Sequence, residues 1–212
     1  MSRPLLCLCL TAPTLAENLA QVRRCHNLVD MVELRVDLLH PSQWPGIARF
    51  PLECPLPALC TVRRRPDGGS WRAPETTRRR LLQEAAGAGY RYLDLEADLP
   101  TGAVALPRRG PRVIRSLHDL NGTPANLETL LRGLARSARE IPKLAVTPHG
   151  VGDLARIVTA ARAVPAPRIV LGMGDYGLPS RLLAARVGSW LTFTSATSGG
   201  LRIARRRDSS IH

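Results

Sequence analysis

Eight short apolar runs, separated by polar or helix-forming stretches, constrain the fold of this chain more than any other feature. The runs are LLCLCLT (5–11), MVELRVD (31–37), ALCTVR (58–63), YLDLEAD (92–98), RVIRSLHDL (112–120), KLAVTPH (143–149), RIVLGMG (168–174) and WLTFTS (190–195). Stretches of helical periodicity lie between many of them, one beginning after Thr14 as N-cap and another after Asn126. Strands that alternate with helices form parallel sheets, and eight such units in 212 residues predict a small (β/α)₈ TIM barrel.

Two segments break this alternation. Residues 99–111 contain three prolines and two glycines where the fourth helix belongs, so we expect that helix to be degenerate. Residues 196–212 read ATSGGLRIARRRDSSIH, which predicts a missing or truncated eighth helix and an atypical basic tail. Because no internal repeat or linker divides the sequence, we expect one domain over residues 1–212.

The chain is strongly basic, with a formal net charge of +13 and a pI near 11.1. Dense arginine attracts phosphate, which favours a nucleic-acid partner. The arginines are scattered, however, aromatic residues make up only 4% of the chain, and no helix-turn-helix, zinc-finger or RNA-binding motif is present. We therefore predict no nucleic-acid partner.

The cysteines and the lengths of the apolar runs indicate a cytoplasmic protein. The five cysteines are an odd number and form no C-x-x-C pair, which fits small buried side chains in a reducing compartment. The first apolar run, 5–10, is too short for a secretory signal, and no run approaches the roughly 20 residues of a membrane helix. We predict no membrane partner, and the sequence leaves a homodimer open.

Lys143, in the sixth apolar run, is the one lysine among the 30 Lys and Arg residues of the chain. Lysine differs from arginine because it can lose its proton and act as a nucleophile. An amine with an ordinary pKa of about 10.4 is neutral in only about one molecule in 10³ at pH 7. Burial among arginines favours the neutral form, so the sequence predicts a lysine that forms a Schiff base. A snorkelling or ion-paired lysine is the alternative.

Other polar side chains interrupt the predicted strands. Chemistry in a (β/α)₈ barrel gathers at the carboxyl ends of the strands, so these side chains are the candidates for a site. Glu33, Arg35 and Asp37 alternate along the second run and are expected to point the same way across the pleat. A structural network in which Glu33, Asp94 and Glu96 neutralise nearby arginines accounts for some of them.

A Schiff base with a ketone makes the neighbouring carbon acidic, and a base must then remove its proton. His118 ends the fifth run, adjacent to the run that carries Lys143. Imidazole titrates near neutral pH, so His118 is the candidate base, and His149 is a weaker second candidate.

Five segments resemble, in order and spacing, the motifs of the type I 3-dehydroquinate dehydratases, (β/α)₈ enzymes of the shikimate pathway. They are ELRVD (33–37), TVRRRPDGG (61–69), SLHDL followed by TP (116–124), KLAV (143–146) and GMGDYGLPSR (172–181). The similarity runs from about residue 5 to residue 193. It implies a hydro-lyase that converts 3-dehydroquinate to 3-dehydroshikimate through a lysine imine, with no metal or organic cofactor.

The resemblance also implies a role for each matching residue. Lys143 forms the imine with the C3 ketone of the substrate, and His118 removes the C2 proton and then helps the C1 hydroxyl leave as water. Asp67 stands where the family usually has the glutamate that orients the catalytic histidine. Substrate-binding roles fall to Arg181, which clamps the carboxylate, and to residues that bind the ring hydroxyls and carboxylate: Glu33, Arg35 and Arg63.

Three features depart from the family pattern. Asp67 is one methylene shorter than glutamate, so its contact with His118 is expected to be longer or bridged by water. Cys9 stands at a position that is commonly serine. The A-P-G-Q loop that closes over the substrate is not found in 196–212, which predicts slower turnover because the imine stays open to water.

These departures keep alternatives open. One is a weakened or non-catalytic barrel that binds a shikimate-pathway metabolite or a polyanion. Another is a class I aldolase-like barrel, which requires a phosphate site near GMGDYG (172–177), where we otherwise expect a tight turn. Some relatives are fused to a shikimate dehydrogenase, and that partner is not among these residues.

Overall fold

The computed structural model describes residues 3–197 and 200–203. Its strands are β1 (Leu5–Leu10), β2 (Met31–Arg35), β3 (Ala58–Thr61), β4 (Tyr92–Glu96), β5 (Arg112–Asp119), β6 (Glu140–Val146), β7 (Ile169–Gly172), β8 (Leu191–Thr197) and β9 (Gly200–Ile203). Its α-helices are α1 (Leu15–Cys25), α2 (Phe50–Glu53), α3 (Glu75–Gly87), α4 (Leu127–Leu134), α5 (Val151–Ala163), α6 (Gly174–Leu182) and α7 (Ala184–Val187). All eight predicted strands are therefore present.

The first eight strands are parallel and form the wall of a nearly closed barrel. Their order is β7-β6-β5-β4-β3-β2-β1-β8, so every strand lies beside its neighbour in sequence and β8 returns to β1. This arrangement confirms the predicted (β/α)₈ fold. The strand register places Ser116 of β5 opposite Lys143 of β6, which brings the fifth and sixth runs together as expected.

A few hydrogen bonds close the seam between β7 and β8. The Trp190 N–H donates to the carbonyl of Arg168 at 2.7 Å. The Ser189 hydroxyl accepts from the Val170 N–H at 3.2 Å and donates to the carbonyl of Leu191 at 2.9 Å. A buried serine thus supplies the partners that backbone pairing leaves unfilled there.

The helices follow the sequence signals for their starts and buried faces. The Thr14 hydroxyl accepts from the Glu17 N–H at 3.2 Å and caps α1, whose buried face includes Leu19 and Val22. Helix α6 starts at Gly174, inside the segment for which we expected a tight turn. The helix and β7 approach so closely that a Cβ on Gly177 would lie 2.2 Å from the carbonyl carbon of Gly172. Close packing thus explains these two glycines.

The two irregular segments behave differently. No α-helix forms in the described segment between β4 and β5, as the prolines predict. The Gln83 side chain of α3 holds that segment through two bonds with the backbone of Ala105, at 2.7 and 2.9 Å. After β8 comes β9, which pairs antiparallel with β8 where the eighth helix belongs. Residues 204–212, most of the predicted tail, lie outside the described residues.

Side chains inside the barrel form layers. One residue from each parallel strand contributes to an apolar floor: Cys7, Met31, Leu59, Tyr92, Ile114, Ile141, Ile169 and Leu191. Side chains alternate along a strand, so the residues two positions further on face the same way. This second layer consists of Cys9, Glu33, Thr61, Asp94, Ser116, Lys143, Leu171 and Phe193. The interior therefore changes from apolar to mostly polar within one step along the strands.

No helix in the described part of the chain is both long and apolar enough to cross a membrane.

Candidate active site

A cavity of about 170 Å³ lies above the second layer, at the carboxyl ends of the strands. Its lining includes all seven side chains for which the sequence predicts a role: Glu33, Arg35, Arg63, Asp67, His118, Lys143 and Arg181. Apolar side chains, among them Met173 and Phe193, complete the wall. The fold therefore gathers the predicted set from four strands or the loops that follow them (β2, β3, β5 and β6), and from α6.

Lys143 projects from β6 into the base of this cavity and is 4% exposed. Its Nζ donates to Oδ2 of Asp94 at 2.9 Å and lies 4.7 Å from the ring centre of Phe193. The ring face attracts a cation, and the carboxylate does so more strongly. The amine is thus held in one position by groups from β4 and β8.

Asp94 is shared between several cationic and polar groups. Its Oδ2 also lies 2.6 Å from Nη2 of Arg63, and its Oδ1 accepts a bond from the Ser116 hydroxyl. Burial raises the pKa of the Asp94 carboxyl, but the charges of Arg63 and Lys143 outweigh burial and hold its pKa well below the usual range. The carboxylate therefore stays ionised beside the amine.

Arg63 lines the cavity, yet its guanidinium bonds are made within the protein. Besides Asp94, it contacts Glu96 at 3.2 Å and donates to the Ser116 hydroxyl at 2.9 Å. Glu96 is in turn held at 2.8 Å by Arg78, which is fully buried. Two of the three expected acids, Asp94 and Glu96, thus neutralise arginines, and Asp94 joins this network to the lysine. Glu33 bonds instead to Thr61 and Cys9.

His118 projects from the end of β5 into the cavity. Burial, reinforced by the positive charges of Arg63 and Lys143, holds its pKa well below the ordinary value of 6.5, against the opposing charge of Asp94. The imidazole is therefore neutral at pH 7, as a proton acceptor must be. Its Nδ1 is buried and has no hydrogen-bond partner among the described residues.

Asp67 lines the same cavity but bonds to a different side chain from the one expected. Its Oδ2 accepts from Nε of Arg64 at 2.8 Å. The other two nitrogens of Arg64 donate to the carboxylate of Asp98 at 2.9 and 2.8 Å. Asp67 is thus engaged by Arg64 rather than by His118.

Glu33 lies in the second layer and is buried. Its carboxylate accepts from the Thr61 hydroxyl at 2.8 Å and contacts the Cys9 thiol at 3.2 Å. Burial, followed by the charge of Glu33, raises the pKa of Cys9 well above its ordinary value, so the thiol stays protonated and can donate this bond. Cys9 therefore fills a donor position beside Glu33.

Arg35 and Asp37 pair with each other at the end of β2. Two nitrogens of Arg35 donate to the Asp37 carboxylate, at 2.9 and 2.7 Å. Asp37 lies in a 3₁₀ turn after the strand, and it also accepts from the backbone N–H groups of Arg63 and Ser70. It is not part of the cavity lining, so the expected alternation holds for Glu33 and Arg35 and ends there.

Arg181 reaches the cavity from α6. Its Nε donates to the carbonyl of Gly172 at 2.9 Å, and no carboxylate contacts it in the described part of the chain. Burial lowers its pKa, although an arginine remains charged at neutral pH. It is therefore a positive group facing the cavity without a neutralising acid.

A lone lysine, a neutral histidine and an unpaired arginine now share one barrel cavity, and comparison with known proteins agrees with this chemistry. The family model of type I 3-dehydroquinase matches residues 6–204. The chain belongs to the type I 3-dehydroquinase family. The resemblance carried by the five sequence motifs is thereby confirmed.

Individual members of the type I 3-dehydroquinases align over most of this chain. The 3-dehydroquinate dehydratase of Methanothrix thermoacetophila is 30% identical over 186 residues, which are 86% of this chain and 80% of that protein. The bifunctional 3-dehydroquinate dehydratase/shikimate dehydrogenase of Arabidopsis thaliana is 29% identical over 202 residues, and the match spans 34% of its length. The crystal structure of 3-dehydroquinate dehydratase from Geobacillus kaustophilus has a TM-score of 0.81 at 22% identity, covers 96% and 87% of the two chains, and supports the fold.

Asp94 is the site residue whose importance the sequence understated. Sequence analysis placed it among acids that neutralise arginines, whereas it also holds the lysine. The available signal was its spacing from Tyr92. Tyr92 belongs to the apolar floor, and the residue two positions further along the strand lies in the layer that contains Lys143.

The described residues support neither His149 as the base nor a metal centre. His149 is exposed, bonds through Nε2 to the carbonyl of Asn121, and is not among the residues that line the cavity. Among residues 3–197 and 200–203, no three His, Cys, Asp or Glu side chains are grouped so that they could hold a metal ion.

Proposed function

We propose that this chain dehydrates 3-dehydroquinate to 3-dehydroshikimate through an imine on Lys143. Membership of the type I 3-dehydroquinase family and the names of its relatives support this activity. The observation that carries the mechanism is the amine of the one lysine, which lies at the base of a cavity that it shares with His118. The shikimate dehydrogenase activity named for the longer plant relative is not proposed.

Imine formation begins with the amine. The ammonium of Lys143, which is ion-paired with Asp94, first loses one proton to water. Its Nζ then attacks the C3 carbonyl carbon of the substrate, and loss of one water molecule leaves a C=N bond between enzyme and substrate. Phe193 covers one side of the amine, and Asp94 fixes its position before the substrate arrives. The protein's own nitrogen then withdraws electrons from the ring, so the step needs no cofactor.

Elimination follows on the same ring. The neutral His118 takes the C2 proton, and the electron pair of that C–H bond moves into the iminium to give an enamine. The enamine then expels the C1 hydroxyl, to which the protonated His118 returns its proton, so the hydroxyl leaves as water. A second water hydrolyses the new conjugated iminium and releases the product and the free lysine. The net change is the loss of one water from the substrate.

Substrate binding is assigned to the groups that still have hydrogen-bonding capacity toward the cavity. Arg181 has no acid partner among the described residues, so its planar guanidinium is the clamp for the substrate carboxylate. Glu33 can accept from ring hydroxyls, and Arg35 can donate to them with the nitrogen that Asp37 does not use. These three residues place the C3 ketone over Lys143.

Arg63 is assigned to a different task from the one the resemblance implied. Its guanidinium is occupied by Asp94, Glu96 and Ser116, and its side chain is almost fully buried. We assign it to holding Asp94 against the lysine, because breaking these buried bonds to bind substrate would cost several kcal/mol, about 3–5 in typical cases.

A phosphate-binding aldolase receives no support from the segment that it requires. Gly172 and Gly177 pack against each other, and α6 begins between them. These contacts account for the glycines without a phosphate ligand.

Borohydride reduction in the presence of dehydroquinate tests the proposal. We expect the intact mass of the protein to increase by that of one reduced substrate adduct, and peptide mapping to locate it at Lys143. The Lys143→Ala variant contains no lysine, so we expect no adduct. His118→Ala is the companion variant: it should still form the adduct, while the absorbance of the conjugated enone product grows several decades more slowly. Labelling that persists in Lys143→Ala would reject the imine mechanism.

A further inference from the structure

Two carboxylates and one arginine form a bridge at the rim of the cavity. Arg64 is the residue after Arg63, and its three guanidinium nitrogens bond to Asp67 on one side and to Asp98 on the other, at 2.8 to 2.9 Å. Asp67 lies in the 3₁₀ turn Arg65–Asp67, and Asp98 lies just after β4. The bridge therefore joins the loops that follow β3 and β4.

Asp67 lies within the surroundings of His118. Both side chains line the cavity, and the turn that carries Asp67 contacts β5, which carries His118. The imidazole Nδ1 is nevertheless buried without a partner among the described residues, although a buried polar atom normally has one. A carboxylate that could supply the partner is present, and a salt bridge holds it elsewhere.

We propose that Arg64 is a positioning residue that latches Asp67 to Asp98 and so withholds the carboxylate from His118, which sets how strong a base the imidazole is. Whether Asp67 bonds to His118 does not depend on the proposed function. The consequence for catalysis does rest on the proposed function, because it requires His118 to be the base. Arg64 touches neither substrate nor reacting atoms, because it acts through Asp67.

The charges around His118 explain why the position of one carboxylate matters. Glu33, Asp67 and Arg181 line the same cavity, and the four charged groups that act on His118 most strongly are Arg63 from β3, Asp94 from β4, Lys143 from β6 and Arg35 from β2. Three of these four are cations, and the one anion is already bonded to Arg63 and Lys143. A released Asp67 would be the first carboxylate to bond to the imidazole directly, and direct bonding favours its protonated form.

NMR titration of the histidine side chains in the free protein tests the proposal without any assay of activity. The chain has five histidines, and the signal of His118 is the one missing from His118→Asn. In Arg64→Gln we expect the midpoint of His118 to rise by about one pH unit or more, the scale of a carboxylate at close range. In Arg64→Gln/Asp67→Asn we expect this rise to disappear. A midpoint that stays unchanged in Arg64→Gln, or a rise that survives in the double variant, overturns the proposal.

Two controls separate the bridge from a general loss of charge. Arg80→Gln removes the same charge from the exposed pair with Glu84 on α3, and we expect no shift of His118. Asp67→Asn removes the withheld carboxylate and leaves Arg64 in place, so it should not raise the midpoint, and a rise in either control contradicts the proposal. If Arg64→Gln does not fold, Arg64→Met keeps the aliphatic stem and carries the same expectation.

The pH dependence of the enzyme provides an independent second measurement. If the proposed function holds, the acid limb of kcat/KM follows the free-enzyme base and moves to higher pH in Arg64→Gln. If the imine mechanism is wrong, the acid limb of kcat/KM no longer reports on His118, but the NMR titration of the free protein still does. The two proposals can therefore be rejected independently of each other.

Discussion

The amine of Lys143 donates a 2.9 Å hydrogen bond to the carboxylate of Asp94, so the one lysine of the chain is held by a fully buried acid from β4. Arg63 bonds to the same oxygen and ties it to Glu96. The position of this amine therefore depends on a buried network of ion pairs.

Replacing Asp94 should disturb stability as well as chemistry. Asp94→Asn leaves Lys143 and Arg63 buried without their shared anion, so we expect the free energy of unfolding to fall by about 3–5 kcal/mol in urea titrations. Ser116→Ala removes one neutral donor to the same carboxylate and should cost about 1 kcal/mol. Equal losses in the two variants would show that the ionic network is not the source of the effect.

The same variant has a defined pH signature. The folded-state pKa of Asp94 is depressed, so its contribution to stability is fully present above the unfolded-state pKa of about 3.9 and is lost only as pH falls below that value. The difference in unfolding free energy between wild type and Asp94→Asn should therefore be the same at pH 6 and pH 8. A difference that grows steadily over this range would contradict the assignment.

His118 gives a second pH-dependent prediction of a different kind. Its pKa is lowered in the folded state, so below about pH 6.5 the unfolded chain binds a proton at this residue that the folded protein does not. Wild type should lose stability relative to His118→Asn as pH falls from 6.5, by at most about 1.4 kcal/mol for each pH unit. Urea titrations of both proteins at pH 7.5 and 5.5 measure this, and parallel curves would refute it.

Arg181 should matter for substrate binding far more than for folding. Arg181→Ala removes a guanidinium that no acid in the described part of the chain neutralises, and we expect kcat/KM to fall about 10- to 150-fold, as for one bond to a charged group worth about 1.5–3 kcal/mol. Steady-state kinetics should place most of the change in KM. Arg186→Ala on the exposed face of α7 is the matched control and should behave as wild type.

Closure of the barrel at the β7–β8 seam can be tested through Ser189. Ser189→Ala leaves the buried Val170 N–H without its side-chain acceptor, so we expect a loss of about 1–3 kcal/mol in the free energy of unfolding. Ser137→Ala, at an exposed position after α4, should change stability by less than about 0.5 kcal/mol. A loss of the same size in both variants would contradict the role of Ser189 in the seam.

The structural features that were predicted correctly from the sequence are those that depend on local patterns of residues. The apolar runs specify the strands because alternation and β-forming side chains act over a few residues. The prolines of 99–111 specify a missing helix for an equally local reason. The strand β9 was not predicted, because its pairing with β8 depends on backbone partners rather than on its own composition.

The sequence by itself determined the barrel, the layer in which Lys143 lies and the set of polar residues around the cavity. Only the tertiary structure decided which charge pairs with which: Asp94 with Lys143, Arg35 with Asp37, and Asp67 with Arg64 rather than His118. The reason is physical. Residue type and spacing decide which way a side chain points, whereas the choice among several nearby opposite charges depends on strand register, loop geometry and differences of an ångström in reach.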